Sequence, residues 1–456
     1  MLPFLTVVAL ASVAQAADNG LALSPPMGWN TYNHFGCSPT EDIVLQSAQA
    51  LVSTGLKDLG YNYVLIDDCW HSPAGREPGT NAPREDKEKF PHGLKWLADQ
   101  IHALDLKFGI YSDAGTRTCG NQFGSLGFEE IDAKTYAGWG VDYLKYDNCN
   151  NEGQSGTPQI SYDRFAKMST ALNATGRPIV YAMCNWGEDQ PWNWAGTIAH
   201  LWRISGDIMD EFSRFDPRCP CQDMLDCKLP GYHCAMTRII DFAALLVSKI
   251  GSGRWNDMDM LEVGQGGMTK EEYITHFSMW AILKSPLILG HDVRNTDDET
   301  REIITNDAVI ALNQDSWSSQ PIRMWNRPVQ GDASDGTVSL WNLVLSTWPT
   351  SAIAVLNTSD RPQTVTLDFA EIWPDNAYLR SLTYSFEDLW QKDDTGKWGK
   401  SIGTFTKTAR IRVEAHQTKV FRTVPINANT VKRSNGETWN VAHERVKVLR
   451  ELQRRK

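Results

Sequence analysis

From residue 17 to about residue 325, short β-rich runs alternate with longer amphipathic segments, and this alternation constrains the fold more than any other feature. The runs are YNYVLIDD (61–68), KFGIYSDAG (107–115), VDYLKYDNC (141–149), PIVYAMCNWG (178–187), LWRISGD (201–207) and SPLILGHD (285–292). Between several of them lie segments such as GLKWLADQIHAL (93–104) and SYDRFAKMSTAL (161–172), with apolar residues at helical spacing. A first strand around 27–33 and a short seventh around 255–260 bring the count to eight. The pattern therefore predicts an α/β chain whose residues 17–325 form a (β/α)8 barrel.

Each run is apolar through its body and turns polar at its C-terminal end, where Asp67, Asp68, Asp113, Asp147, Asp207, Asp259 and Asp292 stand. Any one of them reads most simply as a turn residue capping the next helix. Seven together predict an acidic bowl at the face where barrel enzymes place their chemistry. In LKYDNC, Lys145 and Asp147 alternate and so share the inward side of their strand. The ammonium favours an ionised Asp147, the state a nucleophile needs. Arg203 and Asp207 are four apart at another strand end, where a turn brings them together. Hydrolysis of a glycosidic bond usually needs two carboxyl groups, and composition does not choose them from the seven.

Residues 326–425 have a different texture, with short alternating runs broken by turn residues, which predicts a C-terminal antiparallel β-sandwich. It shows no catalytic constellation; structural support is the default role and sugar binding the alternative. Residues 1–16 are an apolar run ending in Ala14-Gln15-Ala16, a signal-peptide pattern that predicts a secreted mature chain. Residues 426–456 form a basic tail, read as a solvated extension. The whole chain carries 44 Lys+Arg against 55 Asp+Glu, a net −11, which disfavours nucleic acid and anionic membrane as partners.

Nine cysteines in a secreted chain imply disulfides with one thiol left over. Cys219, Cys221, Cys227 and Cys234 cluster in one segment and predict a loop fastened by two bridges. Cys37, Cys69, Cys119 and Cys149 supply two more, in a connectivity the spacing leaves open, and Cys184 is the expected free thiol. Asn173 and Asn357 each open an N-glycosylation sequon. HExxH, Walker A, GxGxxG and GxSxG patterns are all missing, so the expectation is neither metal nor organic cofactor.

MGWN (27–30), LIDDCW (65–70), GIYSDAGTRTC (109–119), LKYDNC (144–149), WRISGD (202–207), WNDMDML (255–261) and SPLILGHDVR (285–294) occur in order. Together they resemble glycoside hydrolase family 27, the secreted α-galactosidases and α-N-acetylgalactosaminidases, here of fungal type. The resemblance runs from about residue 23 to 315, and the sandwich fits the family's C-terminal module. It implies a retaining double displacement on a carbohydrate with terminal α-galactose, with Asp147 as nucleophile and Asp207 as acid/base. It further implies Trp29 as the platform under the sugar, Asp67 and Asp68 binding O6 and O4, and Lys145 and Arg203 binding hydroxyls. Tyr111, Asp259 and Met260 would form the pocket wall. Cys119–Cys149 would be a disulfide beside the nucleophile, and Cys37–Cys69 would join the first two strand ends.

Cys184 and Trp186 match the segment facing C2, where Asn185 replaces a common family Glu, and a C2 hydroxyl is favoured over an acetamide. A nested pairing, Cys219–Cys234 around Cys221–Cys227, is the expectation for the clustered cysteines. The same-family alternatives are α-N-acetylgalactosaminidase and β-L-arabinopyranosidase. The alternative of another class is a galactose-binding protein without catalysis.

Overall fold

The structure is a computed structural model and describes residues 19–214, 233–331 and 336–426. The signal-peptide segment, the basic tail and Cys219, Cys221 and Cys227 lie outside the described residues. Eight strands, β1 (Met27–Asn30), β2 (Tyr63–Leu65), β3 (Lys107–Asp113), β4 (Tyr143–Asp147), β5 (Val180–Cys184), β6 (Leu201–Arg203), β7 (Trp255–Asp257) and β8 (Leu287–Leu289), form one parallel sheet ordered 7-6-5-4-3-2-1-8. Past β7 the chain runs on to Leu261, whose N–H donates to the Ile288 carbonyl (2.8 Å) and whose carbonyl accepts from Gly290 (3.1 Å). This bridge closes the sheet into a barrel, as the alternation predicts.

Inward positions Tyr63, Leu65, Tyr143, Val180, Ala182, Leu201, Trp255 and Ile288 fill the barrel. Gly109 is needed opposite them, since a Cβ there would lie 2.2 Å from the Leu65 side chain. Outward positions, among them Trp29, Val64, Phe108, Leu144 and Trp202, pack in a second core with the surrounding helices. Helices α1 (Tyr32–Phe35) and α2 (Glu41–Ser53) follow β1, while α3 (Leu94–Ala103), α4 (Glu129–Trp139), α5 (Pro158–Ala174), α6 (Met236–Leu246) and α7 (Lys270–Ile282) follow β2, β3, β4, β6 and β7; only short 3-10 turns separate β5 from β6. Thr40, Thr157 and Thr269 cap α2, α5 and α7, the last in a full capping box with Glu272. Every residue of α7 from Tyr273 to Ile282 is buried, because this helix lies between the barrel and the second domain.

That second domain is antiparallel, with strands β9 (Ile322–Pro328), β10 (Thr337–Val344), β11 (Ser351–Asn357), β12 (Gln363–Asp368), β13 (Thr383–Lys392), β14 (Trp398–Thr406), β15 (Thr408–Val413) and β16 (Thr418–Ile426). Their order is 12-15-14-13-16-11-10-9. β14 and β15 pair only through Thr406 and Thr408, on either side of Lys407 at φ +66°. There the sheet folds over, and Leu340, Ile353, Val355, Leu367, Phe386, Ile411, Val413 and Phe421 fill the space between its layers. The other faces of β10 and β11, with Trp341, Leu343, Ala352 and Ala354, join the barrel's outer core. Packed on both sides, these two strands are buried almost throughout, whereas burial alternates along β12 and β15.

Two expectations need correction. β9 begins at Ile322, so a domain boundary at 325/326 falls inside the first strand of the sandwich. β14 has mostly exposed or half-exposed residues and two glycines and carries no hydrophobic alternation to reveal it. Asn357 is fully buried, and its Nδ2 donates to the carbonyls of Arg361 (2.7 Å) and Glu414 (2.8 Å). The nitrogen a glycan needs is thereby committed to closing a turn. Asn173, at the end of α5, is exposed.

Candidate active site

At the C-terminal end of the barrel the inward positions change from apolar to polar within two residues. Tyr111, Lys145 and Ala182 lie level on β3, β4 and β5, and Asp147 follows one inward step beyond Lys145. Tyr111, Lys145 and Asp147 open into a cavity of about 470 Å³. Its wall includes Tyr32, Asp67, Asp68, Tyr111, Cys119, Lys145, Asp147, Trp186, Arg203, Asp207, Asp259 and Met260. A deep polar pocket at this end is the default place for chemistry in a barrel. A larger groove between α4 and α5 has Glu129, Glu130, Lys134, Asp163 and Lys167 spread along it, with no converging set.

The carboxylates are held in a hydrogen-bonded frame. Lys145 Nζ donates to Asp67 Oδ2 (2.8 Å), which also accepts from Asn30 Nδ2 (2.7 Å). Asp68 accepts from the backbone of Cys69 (2.6 Å) and Gly120 (2.7 Å). A Cβ on Gly120 would stand 2.7 Å from Cys69 Sγ and 2.9 Å from Asp68 Oδ2, so this approach requires glycine. Tyr111 Oη donates to Asp147 Oδ2 (3.0 Å), and the Asn148 N–H to Asp147 Oδ1 (3.0 Å). Buried Arg203 contacts Asp207 (3.0 Å) and Asp259 (2.6 Å). The Cys234 N–H donates to the Asp207 carbonyl (2.7 Å), and Met209 returns a bond to the Cys234 carbonyl (3.0 Å). Cys234, itself disulfide-bonded, therefore clamps the turn that carries Asp207. Cys69, Trp186 and Asp259 have left-handed backbone (φ +71°, +54° and +79°), a conformation costly for such residues.

The electrostatics invert the simple expectation for Asp147. Burial, then Asp207 and Asp67, push its carboxyl up to about 7, against the opposing pull of Lys145 and Arg203. Asp207 is held low because the cations Arg203 and Lys145 outweigh its desolvation. Lys145 is thus a weaker influence on Asp147 than burial, which a strand pattern does not measure.

Disulfides join Cys37 to Cys69 and Cys119 to Cys149, and Cys184 is free and buried. Cys119 lines the cavity, whereas Cys149 and Cys184 stand one layer back, the latter beside Arg203 Nη1 (3.5 Å). Two carboxylates of the expected bowl are elsewhere. Asp113 is fully buried, accepts from the Cys149 N–H (3.0 Å) and is absent from the cavity wall. Asp292 caps the turn at 293–295 and pairs with Arg294 (2.7 Å). Trp29 also fails to reach the cavity. Its indole is fully buried on the outward side of β1, edge-on to Phe35, and donates to the His291 carbonyl (2.8 Å). The aromatic that faces the cavity is Tyr32, the first residue of α1 and 37% exposed, where the strand period no longer applies. Asn33 on α1, with Ile208, Met209, Asp210, His233, Glu262 and Gln265 from loops, complete the wall, and no periodicity points to them.

The family model described as Alpha galactosidase A matches residues 24–315, and the model described as Alpha galactosidase C-terminal beta sandwich domain matches residues 320–423. An α-galactosidase of Lachancea cidri is 45% identical over 414 residues, 88% of this chain and 87% of that protein. The crystal structure of α-galactosidase I from Mortierella vinacea shares 49% identity and a TM-score of 0.82, covering 89% of this chain and 98% of its own. A Saccharomyces cerevisiae α-galactosidase structure with raffinose shares 38% identity and a TM-score of 0.87, covering 91% and 100%.

Proposed function

The chain belongs to the α-galactosidase family, and from that premise we propose that Asp147 and Asp207 carry out hydrolysis of terminal α-D-galactosyl residues by double displacement. The observation that carries the assignment is their placement on β4 and just beyond β6 in one cavity, each beside its own cation, Lys145 or Arg203. Asp147 attacks the anomeric carbon while Asp207 protonates the departing oxygen. Asp207 then takes a proton from water, which releases galactose with its configuration retained. Asp67, Asp68 and Lys145 at the cavity floor bind the galactose hydroxyls, and Arg203 and Trp186 face the C2 side. A C2 hydroxyl suits this wall, and the substrates are oligosaccharides, galactomannans or glycoconjugates. The rival sugar specificities are found in more distant structural neighbours.

One proton serves both carboxyls. Below pH about 7 the facing pair holds it, on Asp147 in the open cavity because Arg203 keeps Asp207 ionised. The Asp207 side chain is 42% exposed, so a bound substrate strips water from it and favours its protonated form. Asp147 is left ionised beneath Lys145, poised to attack.

We place the enzyme outside the cell, a reading supported by the apolar leader pattern and by disulfides Cys37–Cys69 and Cys119–Cys149. Among the described residues no helix is long and apolar enough to cross a membrane. A panel of p-nitrophenyl glycosides differing at C2, C4 and C6 tests the substrate. The α-galactoside is expected to be cleaved fastest, with α-galactose as first product; faster cleavage of the α-N-acetylgalactosaminide overturns the C2 assignment. Tyr32 replaces Trp29 as the stacking platform. Tyr32→Ala is expected to raise KM for galactosides about tenfold, as lost stacking of about 1 kcal/mol or more implies. Trp29→Phe should lower the melting temperature through the lost His291 bond while leaving KM within about twofold. The reverse pattern would restore Trp29 to the sugar site.

A further inference from the structure

Beyond Asp207 the cavity wall passes to Asn33, Met209, Asp210, His233, Glu262 and Gln265. Asp207 protonates the departing oxygen in the mechanism above, so whatever galactose is attached to rests on this side. The wall is a connected rim. Asn33 Nδ2 donates to Glu262 Oε1 (2.6 Å), His34 Nδ1 lies 3.2 Å from Gln265 Oε1, and Gln265 Nε2 donates to the Gly290 carbonyl (3.0 Å). Asp210 accepts from the Tyr273 hydroxyl (2.9 Å) and from the Gly267 N–H. The loops after β1, β6, β7 and β8 are thereby tied together around the opening.

Glu262 is the innermost member, only 4% exposed yet part of the cavity wall, with its own N–H bonded to His276 Nε2 (2.9 Å). We propose that Glu262 is the positioning residue of the leaving-group half of the cavity: through Asn33 it sets a polar rim that favours hydroxyl-bearing sugar leaving groups over apolar ones. Burial beside Asp259 and Asp210 pushes its carboxyl up to about 9, so it stays neutral in the working range. A neutral carboxyl accepts from Asn33 and retains an O–H to donate, whereas a carboxylate would only accept. Sugar hydroxyls satisfy such a rim, and an apolar aglycone leaves it unpaired, which is the stronger form of discrimination. The inference rests on the α-galactosidase reading.

Glu262→Ala, Glu262→Gln and Asn33→Ala enzymes are compared on raffinose, p-nitrophenyl α-galactoside and α-galactosyl fluoride, whose leaving group is too small to reach the rim. Glu262→Ala and Asn33→Ala are expected to raise KM for raffinose about tenfold, with kcat within about threefold. Their loss of kcat/KM on raffinose should exceed the loss on the fluoride about tenfold, with the aryl substrate between. Glu262→Gln, neutral and of the same shape, should keep raffinose KM within about threefold. Equal losses on raffinose and fluoride, or an unchanged raffinose KM in Asn33→Ala and Glu262→Ala, overturn the proposal and leave the α-galactosidase reading intact. Should Glu262→Ala not fold, Asn33→Ala must show the same split alone or the proposal fails. A wild-type enzyme inactive on all three substrates removes the underlying reading instead.

Discussion

Asp147→Gly is expected to lower kcat on α-galactosides by about 10⁴-fold or more while the protein stays folded. The loss is chemical, because no other carboxylate in the cavity shares Asp147's position at the end of β4, fixed by Tyr111 and the Asn148 N–H. The fold should tolerate the change. A carboxyl whose native pKa is raised to about 7 binds more protons folded than unfolded, so between its ordinary value and 7 it makes stability fall as pH rises. Removing it removes that burden, and the variant should melt no lower than wild type at pH 7. Azide supplies the decisive readout. Entering the space vacated on the nucleophile's side, it should restore turnover of α-galactosyl fluoride and give the β-azide, inverted relative to substrate. A variant that keeps wild-type turnover, or that gives the α-azide, refutes the nucleophile assignment.

Asp207→Ala should show the complementary pattern, set by how much help the leaving group needs. The sucrose part of raffinose departs as an alkoxide unless protonated, so kcat/KM should fall about 10²–10⁴-fold. Fluoride needs no proton, and formation of the intermediate from α-galactosyl fluoride should survive. Hydrolysis of that intermediate is then slow for want of a base, and azide should accelerate it to give the α-azide with retained configuration. The pH profile separates the variants further. Wild-type kcat/KM should fall about tenfold per pH unit above about 7, where the pair loses its shared proton. With Asp207 gone, the charge that raised Asp147 is removed and no acid is required, so on the fluoride this alkaline limb should vanish. A limb that persists near 7 in Asp207→Ala assigns the proton to another group.

Much of this site is written locally. Lys145 and Asp147 are two apart on a strand and therefore share its inward face, and Arg203 meets Asp207 four residues on through the turn after β6. Trp29 shows the limit of reading a motif without its phase. It lies on the same short strand as inward-facing Asn30, and one residue of offset turns an aromatic from the cavity into the helix layer. Asp113 and Asp292 likewise end up bonded to neighbours because position at a strand end fixes depth along the barrel axis, not accessibility. Asn357 carries a valid sequon, but its amide is captured by the Arg361 carbonyl of its own turn and by the Glu414 carbonyl of a turn 57 residues away.

The eight barrel strands, the following β-domain and the residues at the strand ends are legible in local pattern alone. Periods of 2 and 3.6 residues are local consequences of backbone geometry and burial. Which loops meet depends on contacts between residues far apart along the chain. Asn33 and Glu262 are 229 residues apart and touch, because barrel closure through Leu261 and Ile288 brings the first and last loops together. The Cys234 contact has a different cause, because Asp207 and Cys234 stand at the two ends of the one connection between β6 and α6, which folds back on itself. The folded structure also set the charge states. Burial and neighbouring carboxylates lift Asp147 and Glu262, and Arg203 lowers Asp207, through fields that depend on distance in space and not along the chain.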